Sequence, residues 1–324
     1  NKGNADSLQS DDEISTAQYF GFAQANWKWK RWVVEAGLSV GKTELNLVRY
    51  SVLPAKELNT DLGVQTSPRV ALLYKLANAT SVYAQASRGF SPPTGGEVSP
   101  SGSAININLA PEIGWNYEGG VKGSVQRGRL QYDVSLFYYT LTNTIVQRKD
   151  SLGSDYYSNA GSTEQKGIEA RVDYVLLHNT KALEELRFWA GYAGYYFKYR
   201  NFQQAEADYS GNDMPGVAPH TLSAGVDAQV PFGVAAHITY LYSDKIWLND
   251  ANTARADAYH LLGAKLSWAK NIKQYGIELY AGADNLLNQP CSLGNDINAA
   301  GGRYYNPAAG VNYYVGLLLH YNRK

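Results

Sequence analysis

Apolar residues recur at every second position over many stretches of the chain. Val311, Tyr313, Val315, Leu317, Leu319 and Tyr321 share one face, and Asn312, Tyr314, Gly316, Leu318 and His320 the other. A period of two is that of an extended strand, whose successive side chains point to opposite sides. Ile168, Ala170, Val172, Tyr174 and Leu176 alternate in the same way with Gly167, Glu169, Arg171 and Asp173. So do Leu222, Ala224, Val226, Ala228 and Val230 with Thr221, Ser223, Gly225, Asp227 and Gln229, and Leu130, Tyr132, Val134 and Leu136 with Arg129, Gln131, Asp133 and Ser135. Counting such segments predicts about thirteen strands, near Tyr19, Val34, Val70, Val82, Tyr117, Val134, Val172, Ala190, Val226, Ile238, Leu262, Leu279 and Leu317. The segment around Ala190 is ambiguous, because aromatics occupy both of its faces.

A soluble sandwich could show the same alternation, and the connections decide against it. Short links fall at Trp29 to Lys30, Ala77 to Ala79, Gln126 to Gly128, Pro231 to Phe232 and Asn271 to Lys273, with a longer one at His178 to Glu184. Between them lie polar stretches expected as long loops: Lys42 to Gln65, Ser91 to Glu112, Arg148 to Thr163, Asn201 to Gly216, Asn249 to Arg255 and Asn288 to Gly310. Short turns at one end and long loops at the other mark an antiparallel up-and-down barrel of an outer membrane. Tryptophans fit the same orientation. Trp27, Trp29 and Trp32 flank one short turn, Trp268 precedes another, and Trp115 and Trp247 stand at long-loop ends. There an indole N–H stays wet while its ring meets lipid.

Composition sharpens this picture. The 324 residues include 26 Tyr, 7 Trp and 31 Gly but one Met and one Cys. A net charge of zero gives no electrostatic reason to expect nucleic acid as a partner. Cys291 has no partner for a disulfide within the chain, and no Cys/His spacing suits zinc. The mean hydropathy of -0.36 resembles that of a soluble protein. Barrel strands that alternate lipid-facing with lumen-facing residues give such an average too. Asn1-Lys2-Gly3-Asn4 has neither a basic start nor an apolar run, so a signal peptide is expected to be absent, cleaved or upstream.

Six segments stand out in order: Thr66-Ser67-Pro68-Arg69-Val70-Ala71-Leu72-Leu73-Tyr74, then Tyr83-Ala84-Gln85-Ala86-Ser87-Arg88-Gly89-Phe90-Ser91-Pro92-Pro93, then Pro111-Glu112 leading to Asn116-Tyr117-Glu118-Gly119-Gly120-Val121-Lys122-Gly123. Asn159-Ala160-Gly161 leads to Lys166-Gly167-Ile168-Glu169; Ala283-Asp284-Asn285-Leu286-Leu287-Asn288 and Gly301-Gly302-Arg303-Tyr304-Tyr305-Asn306-Pro307 follow. In this order and at these spacings they resemble the C-terminal barrel of TonB-dependent outer-membrane receptors of the siderophore-receptor type. Asp284 and Asn285 read first as strand-ending residues whose side chains bond backbone, and Gly89 with Pro92 and Pro93 as a sharp stop to pairing after Arg88. The chain departs from the family in ending Tyr321-Asn322-Arg323-Lys324 rather than on an aromatic residue.

The resemblance implies energy-coupled uptake of a scarce ligand, a ferric siderophore or other iron chelate first among them. The partners it implies are outer-membrane lipid and the TonB complex, reached through an N-terminal plug. At about 25 residues per strand and loop the chain holds about thirteen strands, whereas the family's barrel of about 22 needs roughly 550 residues plus the plug. Residues 1–324 are therefore expected to be the C-terminal portion of the barrel, without plug or early strands. A passive porin or a barrel enzyme is the alternative. No dinucleotide fingerprint, P-loop, paired-His metal site or Ser/His/Asp cluster is evident, so no catalytic residue, metal or cofactor is expected. Glu169 and Asp173, with Arg171 between them, read as a hydrated lumen wall. A bulky chelate calls for aromatics and cations at the outer mouth. Arg88, Tyr156, Tyr157, Tyr209, Trp247, Arg303 and Tyr304 are the candidates.

Overall fold

The computed structural model describes residues 11–100, 105–149, 155–159, 161–204 and 207–321. Thirteen strands form one sheet: β1 (Asp12–Trp29), β2 (Trp32–Arg49), β3 (Lys56–Ala77), β4 (Thr80–Ser91), β5 (Glu112–Val125), β6 (Leu130–Thr142), β7 (Ser162–His178), β8 (Glu185–Asn201), β9 (His220–Val230), β10 (Val234–Ser243), β11 (Tyr259–Ile272), β12 (Tyr275–Asp284) and β13 (Asn312–Tyr321). Each is antiparallel to the next and spatial order follows chain order, the topology of an up-and-down barrel wall. Every predicted strand centre falls in its own strand. β1 pairs only with β2 and β13 only with β12 among the described residues, so the sheet has two free edges.

The two faces follow the alternation. Val315, Leu317 and Leu319 are 84%, 58% and 70% exposed, and Leu136, Ile238, Leu266 and Leu279 are exposed on the same outer surface. Large apolar side chains standing this far out need a hydrocarbon neighbour. The inner face is polar and cross-linked. Tyr83 donates to Glu118 at 2.7 Å, Tyr195 to Glu169 at 2.6 Å, and Arg187 binds both oxygens of Asp173. Asp227 then bonds the His237 ring at 2.8 Å. Glu169, Arg171 and Asp173 share this polar face, with Asp173 bonded by Arg187 on the next strand. β8 is no longer ambiguous: Phe188, Tyr192 and Tyr196 lie outside by their pairing with Val226, Leu222 and Lys166, while Trp189 and Tyr195 lie inside. Trp189 fits there because Gly225 leaves it room; a Cβ at Gly225 would meet the indole at 2.5 Å.

Short turns all lie at one end of the sheet, as the link lengths require. At Gly233 the chain adopts φ +81°, and any side chain there would strike the Ala269 carbonyl, so only glycine closes that turn. At the other end one expectation fails. Lys42 to Gln65 is not a loop: β2 and β3 continue as a paired hairpin to Arg49 and Lys56, leaving 50–55 as the connection. Period two persists through this segment but its polarity inverts. Lys42, Glu44 and Asn46 face out, whereas Thr43, Leu45 and Leu47 are buried at 4%, 7% and 2% exposure. Leu45, Leu47, Leu62, Val98 and Leu109 form a small core there, with Ile105 and Ile107 packed against it. Outside lipid, charged residues face water and apolar ones turn inward, which made the segment look loop-like.

The stop expected after Arg88 is also displaced. On the β3 side pairing ends at Ser87, but on the β5 side β4 continues through Gly89, opposite Gly114, to Ser91. Pro92 then ends it. Asn285 does close its strand as read. At φ +49° its side chain donates to the carbonyls of Gln289 and Ala309 and accepts from the Gln289 amide.

Candidate ligand site at the loop end

Three long connections, 202–219, 244–258 and 285–311, are bonded side to side. Phe202, wholly buried, packs between Tyr199 and Tyr209 with ring centroids at 4.3 and 5.6 Å. Leu248, also fully buried, anchors the second loop. Asp250 is the hub: Tyr199 donates to it at 2.7 Å and the Asn298 side-chain amide at 3.1 Å. Asn252 and Asp213 exchange two bonds of 2.9 Å, and the Asn298 amide reaches the Leu248 carbonyl at 2.9 Å. Ligands are commonly bound by loops of this kind, set on a rigid scaffold.

Between these loops lies a cleft of about 1010 Å³ lined by Tyr209, Asp250, Asp296, Asn298, Arg303 and Tyr305, among others. A second, of about 560 Å³, is lined by Asp244, Asp257, Tyr259 and Cys291. Asn295, Ile297 and Tyr305 border both and so form the partition. The Asn295 side-chain oxygen is buried in that wall without a hydrogen-bond partner. Drug-sized ligands occupy roughly 300–1,000 Å³, so either space takes a small chelate or part of a larger one.

The structure brings together only part of the set read from sequence. Tyr209 and Arg303 both line the larger cleft. Trp247 stands beside it, its indole N–H on Asp213 at 3.2 Å and the Arg255 guanidinium 5.2 Å from its ring centroid. Tyr304 turns its ring against Tyr305 and does not line the cleft. Tyr156 and Tyr157 lie elsewhere, on a hairpin of Ile145–Lys149 with Asp155–Asn159. Tyr157 packs on the leucine core, and its carbonyl accepts from Asn106 at 3.0 Å. Arg88 is also apart. Its guanidinium bonds the Thr66 carbonyl, which β4 does not reach, and the Gln65 side chain at 3.4 Å. Sequence reading missed Tyr305. Tyr305 stands in the same quoted segment as Arg303 and Tyr304, but Arg303 caps the turn at 300–302, so strand alternation does not tie the two together.

Two ion-paired carboxylates outside the membrane hold the loop end in shape. Asp12 accepts from Arg49 Nε and Nη2, each at 2.7 Å, and from the Ser99 hydroxyl at 3.1 Å. The Arg49 guanidinium holds its carboxyl below the usual range, and Lys42 does the same for Asp61.

The sequence model of the family described as "TonB dependent receptor-like, beta-barrel" matches residues 1–286. The chain belongs to this family. Its barrel is therefore an outer-membrane one, crossed by strands; no helix among the described residues is long and apolar enough to span a membrane. Among curated relatives, the ferrioxamine receptor of Yersinia enterocolitica is 26% identical over 221 residues, which are 66% of this chain and 28% of that protein. The metal-pseudopaline receptor CntO of Pseudomonas aeruginosa is 28% identical over 127 residues, 39% of this chain and 16% of that one. Among solved structures, the unliganded ferric citrate transporter FecA superposes with a TM-score of 0.78 at 19% identity, covering 96% of this chain and 46% of FecA. The siderophore receptor PiuA from Acinetobacter baumannii gives 0.76 at 19% identity, covering 96% and 44%. The chain thus spans less than half the length of these proteins, and at such identities the superpositions speak for the fold alone.

Proposed function

We propose that this chain is the C-terminal portion of an outer-membrane receptor that imports a scarce ligand, a ferric siderophore or similar iron chelate, by an energy-coupled route. The observation that carries the reading is the chelate-sized cleft among bonded loops, opposite the short-turn end of a TonB-dependent receptor barrel. The receptors named for ferrioxamine and metal-pseudopaline support the ligand class. The free edges of β1 and β13 support a longer barrel, since an unpaired edge leaves backbone groups unsatisfied in lipid. A plug and the TonB complex are the partners this reading requires, and catalysis has no part in it. Uptake of radioactive iron by cells carrying the full-length receptor tests it. Iron supplied as chelate should enter only when the inner membrane is energised, and removing 293–304 should abolish uptake at unchanged surface level. Entry that ignores de-energisation would make the protein a passive pore.

A further inference from the structure

The charge lining the two clefts is lopsided. Asp250 and Asp296 border the larger, Asp244 and Asp257 the smaller, and Arg303 is the one cation lining either among the described residues. Lys198, 3.6 Å from Asp213, and Arg255, over Trp247, are engaged outside the clefts, and the exposed Lys245 follows Asp244 without lining either cleft. Tyr199 and Asn298 bond Asp250, but both are neutral donors and leave its charge in place. The carboxylates of Asp257 and Asp296 have no hydrogen-bond or ion-pair partner among the described residues, and both residues are exposed. Beside apolar residues such as Ile297, the larger cleft's other polar lining is mainly amide and phenol, from Asn249, Asn298, Asn306 and Tyr305 among others. Such groups bond hydroxyl, amide and ammonium donors, whereas a concave site lined by one sign of charge repels ligands of that sign.

We propose that this side of the mouth selects a chelate whose periphery is neutral or cationic, carrying amine, amide or hydroxyl groups, and discriminates against polyanionic chelates. The inference rests on the reading of the mouth as a chelate site. Specificity here comes from repulsion as much as attraction: a polyanion meets unpaired carboxylates at Asp257 and Asp296 with only Arg303 to offset them. Arg303 then contacts the carbonyl or π surface of the ligand rather than pairing with a ligand carboxylate.

Three probes separate the charge classes. They are the ferric complex of a linear trihydroxamate with a free terminal amine, the same complex N-acetylated, and a ferric tricatecholate bearing three negative charges. Binding to the purified full-length receptor is read from tryptophan fluorescence at low and high salt. The amine probe should bind tighter than its acetylated form and the tricatecholate weakest, with the gap narrowing as salt rises. Replacing Asp257→Asn and Asp296→Asn together should weaken the amine probe by about three- to tenfold, spare the acetylated one and improve the tricatecholate. Tightest binding of the tricatecholate, or an amine-to-acetyl ratio indifferent to salt and to the double substitution, overturns the charge proposal while leaving the chelate site standing. Should none of the three bind, the chelate reading itself falls, and the charge proposal with it. The salt series on the unsubstituted receptor decides even if the double variant fails to assemble.

Discussion

Facing is decided one residue at a time, and neighbours in sequence can have opposite tolerances. Val172 pairs with Tyr132 and Ala190 on the outer face, while Arg171 lies on the inner face and lines a polar hollow with Glu118, Asp133 and Glu169. Val172→Arg in the full-length receptor should cost about 2–4 kcal/mol if near the bilayer midplane, and Arg171→Val little. Heat-modifiable mobility on gels after outer-membrane isolation reads both, and equal losses would mean the faces are misassigned. This much was legible from alternation alone, because period two ties each side chain to one of two solvents. The functional residues were less so. Tyr209 and Arg303 line the cleft, whereas Arg88 bonds the Thr66 carbonyl, Tyr157 packs on the leucine core, and Tyr156 lies beside Tyr157 on the same strand pair. Sequence chemistry identifies what a side chain could do for a ligand; it does not reveal that β4 stops short of Thr66, whose carbonyl takes Arg88 instead.

At the scale of elements, the upper hairpin of β2 and β3 shows where pattern reading loses its footing. Its alternation was visible, but Lys42, Glu44 and Asp61 on the expected lipid face made it read as loop; the inversion marks where strands leave the membrane. Val98, Ile105, Ile107 and Leu109 of the connection after β4 cover its inner face, packed with Leu47 and tied at the side by the Asp12, Arg49 and Ser99 cluster. Leu47→Ala removes a side chain only 2% exposed and should cost about 2–5 kcal/mol locally. Faster proteinase K nicking of 92–111 with barrel mobility unchanged is the expected result, and unchanged nicking would mean the core does not hold the loop. The Asp12 cluster adds a pH dependence of known sign. Because Arg49 depresses the folded carboxyl below its ordinary 3.8, the contribution is present above that pH and is lost as pH falls through the lowered value. Pepsin digestion across pH 2–5 should therefore show protection of 92–111 persisting to below about 3.8, and no such pH step in Asp12→Asn. A step at pH 5 or above would place the controlling group elsewhere.

For the molecule as a whole, orientation and closure are the two properties that follow from strand order. Every long connection leaves the same end of the sheet, so a tag inserted after Gly211, an exposed residue with open space around it, should be labelled on intact cells. One beside Asn271 should be hidden until the outer membrane is opened. Closure is more demanding. Phe20 and Phe22 on the inner face of β1 are 79% and 77% exposed, and the outer edge of β1 offers its ladder groups to no described residue. β13 is in the same position at the far edge. In water such edges recruit other chains; in lipid each unsatisfied group costs several kcal/mol. Direct closure would set β1 beside β13, two odd-numbered strands, in parallel, a pairing at odds with the antiparallel ladder and even strand number of bacterial barrels. The 324-residue chain on its own should therefore fail to insert as a monomer, giving aggregates or oligomers when diluted from urea into phospholipid vesicles, while the full-length receptor gives a protease-resistant, heat-modifiable species. Protease resistance of the short chain as a monomer, with mobility that shifts on boiling, would show that the sheet closes on itself and that the longer barrel is not needed.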